Sequence, residues 1–131
     1  MANGTGISPF IGMIRSAQPQ APIHLYWGGR TTQSIAIYQK WIDDALEAGT
    51  LANCQVAYSR EPDYPSYVQQ LLLQDQQILA EQLAQGATLM ICGSVVMQNG
   101  VLEILDQITQ QYHGTHLNTY QQKGQILMDC Y

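Results

Sequence analysis

The chain is 131 residues long, 46% hydrophobic and 11% charged, with a formal net charge of −5 at pH 7. That length makes one domain with room for a sizeable core, and the composition excludes a disordered chain. The acidic balance argues against nucleic acid or an anionic membrane as partner, while a small anionic ligand stays open because a few local donors can bind one.

No basic-then-apolar leader opens the sequence, and no apolar run approaches the roughly 18 residues of a membrane span. Cys54, Cys92 and Cys130 are odd in number and have no metal-ligand spacing, nor have His24, His113 and His116. Reduced thiols in a cytoplasmic protein are expected.

In chain order, "GTG" feeds a helix in "SPFIGMIRSAQ", with Phe10, Met13, Ile14 and Ala17 on one face, Ser8 as N-cap and Pro9 at its first position. "PIHLYWGG" reads as a strand. "TQSIAIYQKWIDDALEAG" reads as a helix with Ile35, Tyr38, Trp41, Ile42, Ala45 and Leu46 on its apolar face and Gly49 as its stop. "CQVAYS" is a strand and "REPDYPSY" a Pro-interrupted loop. "YVQQLLLQDQQILAEQLAQG" is the clearest helix, striped by Val68, Leu71, Leu72, Ile78, Leu79 and Leu83 and closed by Gly86. "TLMICG" is a buried strand, "VLEILDQITQQYHG" a helix aligned by Val101, Leu105, Ile108 and Tyr112, "HLNTYQQKG" a short helix and "QILMDCY" a last strand.

These strands are continuous apolar runs, which suits strands covered on both faces. The expected fold is therefore α/β: a doubly wound, mainly parallel sheet with helices on each side. Ligands of such sheets bind outside the carboxyl ends of the strands. Chemistry is expected in "GTG", "WGGR", "YSREPDY", "CGS" and the terminal "DCY".

Each loop has a functional and a plain reading. "GTGISP" departs from the GxGxxG fingerprint because its sixth position is Pro9. Gly4 and Gly6 allow backbone N–H groups close to a pyrophosphate at a helix start, with the Thr5 hydroxyl as a further donor, or they simply make a tight turn. Arg30 replaces the acidic residue that a NAD-type dehydrogenase places after its second strand, or it is a surface residue. Ser59, Arg60 and Tyr67 suit a phosphate monoester beside an adenine, or form an ordinary polar loop. Cys92 is a small core residue or a strand-end thiol, and Gly93 beside it permits close approach.

Read together, "GTGISPFIGMI", "YWGGR", "AYSRE…YVQ", "MICGS" and "GQILMDCY" resemble the ferredoxin–NADP reductase superfamily in order and spacing. The diflavin branch, such as the sulfite reductase flavoprotein, is nearest, and the likeness covers essentially residues 1–131. It implies an NADP(H)-binding domain whose partner, an FAD-binding barrel, precedes Met1 together with the first, central strand of the sheet. It implies pyrophosphate contact by Thr5, a phosphate contact by Arg30, and a grip on the adenosine-ribose phosphate by Ser59 and Arg60, with Tyr67 as the aromatic there. Cys92 would lie near the nicotinamide and Asp129 in the same network, and Tyr131 would be the terminal aromatic that covers the flavin.

The pattern departs in three places. Pro65 stands where a Lys is frequent, Ser94 stands where an acidic residue is common, and the 92–101 segment is about one residue short. The function implied is hydride transfer from NADPH to FAD and on to a one-electron carrier: an FMN domain, haem or iron–sulfur protein. The rival reading is a non-catalytic nucleotide-binding or interaction module. A free-standing Cys-dependent enzyme ranks last, since no base partner for a thiol is readable.

Overall fold

The structure, a computed structural model, describes residues 1–16 and 22–131. Five parallel strands run in the order β3-β2-β1-β4-β5: β1 is Ala2–Asn3, β2 Ile23–Gly29, β3 Leu51–Tyr58, β4 Leu89–Gly93 and β5 Ile126–Cys130. The helices are α1 (Ser8–Ser16), α2 (Thr32–Ala48), α3 (Val68–Gln74), α4 (Gln76–Ala84), α5 (Val95–His113) and α6 (Leu117–Gln122). Strand alternation sorts the core into two layers. Leu25 and Trp27 face Phe10, Ile14, Ile35 and Ile42, whereas Tyr26 faces Leu72, Leu79, Val101 and Leu105.

The expected doubly wound sheet is present, with corrections. The first strand does not lie wholly before Met1: Ala2 and Asn3 form the centre of the sheet, paired with Trp27 and Gly28 on one side and with Cys92 on the other. An apolar cavity of about 670 Å³ lies at the amino end of the sheet, lined by Phe10, Leu25, Leu79 and Met90 among others. Ser8 is not an N-cap. A 3-10 turn over Gly4–Ile7 runs directly into α1, and Ser8 is already helical at φ −55° and ψ −46°. Ala17, expected on the face of α1, lies outside the described residues.

The long helix predicted over 67–86 is two helices, broken at Asp75. There the chain leaves helical geometry, and the Asp75 carboxylate accepts hydrogen bonds from the Tyr26 hydroxyl at 2.8 Å and from the Gln55 amide. Two strands thus claim a side chain that the helical pattern left polar. Ile78, expected in the stripe, is exposed, and Met13, Trp41 and Leu46 are also more open than their spacing suggests. The helix α5 begins six residues earlier than its apolar pattern, because Ser94 caps it by accepting from the Met97 N–H at 3.2 Å. Strand β5 is not covered on both faces: as an edge strand it leaves Leu127 and Met128 exposed.

Helix α2 keeps to its signals. Thr31 accepts from the Ser34 N–H, and Gly49 ends the helix at φ +80°, where a side chain would be strained.

Candidate functional site

A parallel sheet delivers every strand-to-helix connection to one end, and the order β3-β2-β1-β4-β5 reverses between β1 and β4. At that switch point Gly4 leaves β1 at φ +52°, in the left-handed region that favours glycine. The turn is fixed from below: the indole N–H of buried Trp27 donates to the Gly4 carbonyl at 3.3 Å. Gly6 has a different reason to be glycine. A Cβ there would stand 2.4 Å from the Cys92 carbonyl oxygen, so the loop can rest on the end of β4 only without one.

The neighbouring loops are tied to each other by backbone. The Ser59 N–H donates to the Gly29 carbonyl at 3.0 Å and the Arg60 N–H to the Arg30 carbonyl at 2.9 Å. Glu61 accepts from the Thr32 N–H at 3.1 Å, which anchors the turn after β3 to the start of α2. The Tyr58 N–H donates to the Pro65 carbonyl at 2.7 Å, so Pro65 closes the loop that presents Tyr67. Tyr67 is exposed and precedes α3, where the Gln70 side chain accepts from its N–H.

These loops enclose a cavity of about 560 Å³. Gly4, Arg30, Ser59 and Tyr67 line it, as do Asn3, Gly28, Gly29, Ser66, Gln69, Ser94, Val96 and Met97. Among the described residues the lining has one charged side chain, Arg30, and no carboxylate. In a chain of net charge −5 that is a place suited to an anion. Bare backbone at Gly4, Gly28 and Gly29, hydroxyls from Ser59, Ser66 and Tyr67, and the Arg30 guanidinium fit a phosphate-bearing dinucleotide. No group of His, Cys, Asp and Glu among the described residues is arranged to hold a metal.

The other expected residues, Thr5, Gly6, Arg60, Cys92, Asp129 and Tyr131, are not among those that line this cavity. Cys92 is buried, and its register partner across the ladder is Asp129. Burial pushes the Cys92 thiol up, and the Asp129 charge pushes it further, so it is a neutral thiol at pH 7. Tyr131 is exposed, yet its N–H donates to the Gly93 carbonyl at 2.9 Å and its hydroxyl lies 2.8 Å from Thr5 Oγ1. The structure therefore brings Thr5, Cys92, Asp129 and Tyr131 to the β1–β4–β5 side, and Arg30, Ser59, Arg60 and Tyr67 to the β2–β3 side.

Sequence reasoning missed Asn3, Ser66, Gln69 and Met97. Asn3 had a signal, since it is the last residue before the glycine turn. Gln69 and Met97 read only as helix positions, and nothing local marks them.

A family model described as the oxidoreductase NAD-binding domain matches residues 1–103. Over 143 aligned positions the chain is 27% identical to NADPH–cytochrome P450 reductase of Homo sapiens, an alignment covering 98% of the chain and 21% of that protein. It is 32% identical over 117 positions to nitric oxide synthase 3 of Sus scrofa, covering 80% of the chain and 10% of that protein. It is 36% identical over 98 positions to NADPH–cytochrome P450 reductase of Salmo trutta, covering 69% of the chain and 16% of that protein. The chain thus spans about a fifth or less of the length of these relatives.

Proposed function

The chain belongs to the oxidoreductase NAD-binding domain family, and from that premise we propose that it is the NADP(H)-binding module of an FAD-dependent reductase. One observation carries this reading: the loops after four strands, β1, β2, β3 and β4, converge on a cavity that has Arg30, several hydroxyls and bare glycine backbone, but no carboxylate. Bound NADPH supplies the hydride, and FAD on a partner domain of the same parent takes it up. Gly4, Thr5 and Gly6 hold the pyrophosphate, with Arg30 beside them. Ser59, Arg60 and Tyr67 hold the phosphate on the adenosine ribose. Cys92 and Asp129 position the nicotinamide end, and Tyr131 shields the flavin face. Electrons go on to a one-electron carrier: an FMN domain, a haem protein or an iron–sulfur protein.

The likeness of the loops to the sulfite reductase flavoprotein and the similarity to P450 reductases both fit a parent of several domains. No helix among the described residues is long and apolar enough to cross a membrane. A cytoplasmic setting, with the parent free or anchored on the cytoplasmic side, suits the three free cysteines.

The test is amide chemical-shift mapping of the 131-residue chain with NADP⁺. Shifts are expected at residues 3–6, 28–30, 59–69, 92–97 and 129–131, and not at Ile23, Leu89 or Leu79 around the opposite cavity. Shifts centred on that opposite end, or none, would overturn the assignment. The same chain, lacking the FAD domain, should show no steady NADPH oxidation with ferricyanide.

A further inference from the structure

Asn3 is the last residue of the central strand, and its carboxamide crosses the switch point onto the turn after β4. Its Oδ1 accepts from the Ser94 N–H at 2.9 Å, and its Nδ2 donates to Ser94 Oγ at 3.2 Å. Ser94 Oγ in turn accepts from the Met97 N–H, which caps α5. The space for this contact exists because residue 93 is glycine: at φ +149° a Cβ there would meet Asn3 Oδ1 at 2.0 Å and Met97 Cε at 3.0 Å. Asn3, Ser94 and Met97 all line the strand-end cavity. Asn3 is thus joined at both ends: its backbone leads into the Gly4 turn, and its side chain fixes the turn that follows Cys92.

We propose that Asn3 is a positioning residue for the coenzyme, clamping Ser94 so that the 92–94 turn and the start of α5 form a fixed, uncharged wall of the cavity. The inference rests on the NADP(H) reading above. An amide side chain suits the task. Its oxygen and nitrogen satisfy a donor and an acceptor on one residue, and it brings no charge beside an anionic ligand. Loss of the clamp would leave the Ser94 N–H without its acceptor and loosen the turn on which the nicotinamide half must lie. The adenosine half, held by the loops after β2 and β3, would not notice.

The experiment compares wild type, Asn3→Ala and Asn3→Asp in the 131-residue chain. Two ligands are titrated, NADP⁺ and adenosine 2′-monophosphate, and amide exchange is read by NMR without ligand. In Asn3→Ala, exchange at Ser94 should rise at least about tenfold while Leu105 in the core stays protected, and NADP⁺ should bind about tenfold more weakly with the monophosphate unchanged. In Asn3→Asp the carboxylate can accept from both the Ser94 N–H and its hydroxyl. Ser94 protection should return, yet NADP⁺ affinity should stay low because a negative charge now faces the pyrophosphate. Equal weakening of both ligands by Asn3→Ala, or an unchanged Ser94 amide, would overturn the inference while the coenzyme reading stands. A wild-type chain that binds neither ligand would overturn both.

Discussion

The hydroxyl of Tyr131 lies 2.8 Å from Oγ1 of Thr5, joining residues 126 positions apart across the mouth of the strand-end site. Among the described residues, the other hydrogen bonds of Tyr131 run through its backbone, to Gly93 and from Val95. Either hydroxyl can donate in this pair, and when Thr5 donates to Tyr131 its proton is not available to a phosphate. The two contacts compete. An exposed hydrogen bond contributes about 0.5–1 kcal/mol, so Tyr131→Phe should tighten NADP⁺ binding by roughly two- to fivefold. Thr5→Ala should weaken binding, and in its background Tyr131→Phe should change nothing. Calorimetry on the four variants checks this, and additive effects would mean that the two hydroxyls act apart.

Cys92 should behave as a shielded thiol rather than a nucleophile. Burial first, and then Asp129, hold its proton on above the usual thiol range. Alkylation by iodoacetamide at pH 7.5 should therefore be slow, and Asp129→Asn should speed it, because removing the carboxylate lets the thiolate form at lower pH. Peptide mass spectrometry after timed quenching reads the rate. In the FAD-containing parent proposed above, Cys92→Ala should slow flavin reduction at saturating NADPH by up to about 100-fold, as misplacement of reacting atoms by ~1 Å does, with little change in binding.

Alkaline instability should have a definite source. Burial pushes the Cys54 thiol up to about 11 from an ordinary 9. Between those values the unfolded chain has lost this proton and the folded chain has not. Stability from this group is therefore complete below pH 9 and falls as pH rises to about 11. Urea midpoints measured from pH 8 to 11 should decline in wild type and decline less in Cys54→Ala. Tyr26, raised by burial and then by its hydrogen bond to Asp75, should account for further loss above pH 10.

The two glycines of the first turn should fail differently. Gly6→Ala drives a Cβ against the backbone of Cys92, which cannot swing aside, and should cost about 1–3 kcal/mol. Gly4→Ala meets no atom within 4 Å and bears only the left-handed backbone, about 1–2 kcal/mol. Urea unfolding of both variants checks the order.

The sheet was legible because continuous apolar runs such as "TLMICG" alternate with helical stripes, and because stop residues such as Gly49 act locally. The break at Asp75 was not, since its cause is a pair of hydrogen-bond partners, Tyr26 and Gln55, on two strands distant in sequence. The candidate site was legible as loops, because parallel strands must send their carboxyl ends the same way. What could not be read was how the loops hold one another: Asn3 on Ser94, Trp27 on Gly4 and Gly6 against Cys92 are all contacts between segments remote in sequence.

The central claim is that the loops after β2 and β3 select NADP(H) through the phosphate on the adenosine ribose. Ser59 and Tyr67 can donate hydrogen bonds there without charge, and Arg60 brings both, with no Lys at position 65 to assist. A hydrogen bond to a charged group contributes roughly 1.5–3 kcal/mol. Calorimetric titration of NADP⁺ and NAD⁺ into wild type and Arg60→Ala tests this most directly. The account predicts that Arg60→Ala weakens NADP⁺ binding by roughly 10- to 150-fold and leaves NAD⁺ binding nearly unchanged. Equal losses for the two coenzymes, or no NADP⁺ binding by wild type, would contradict it.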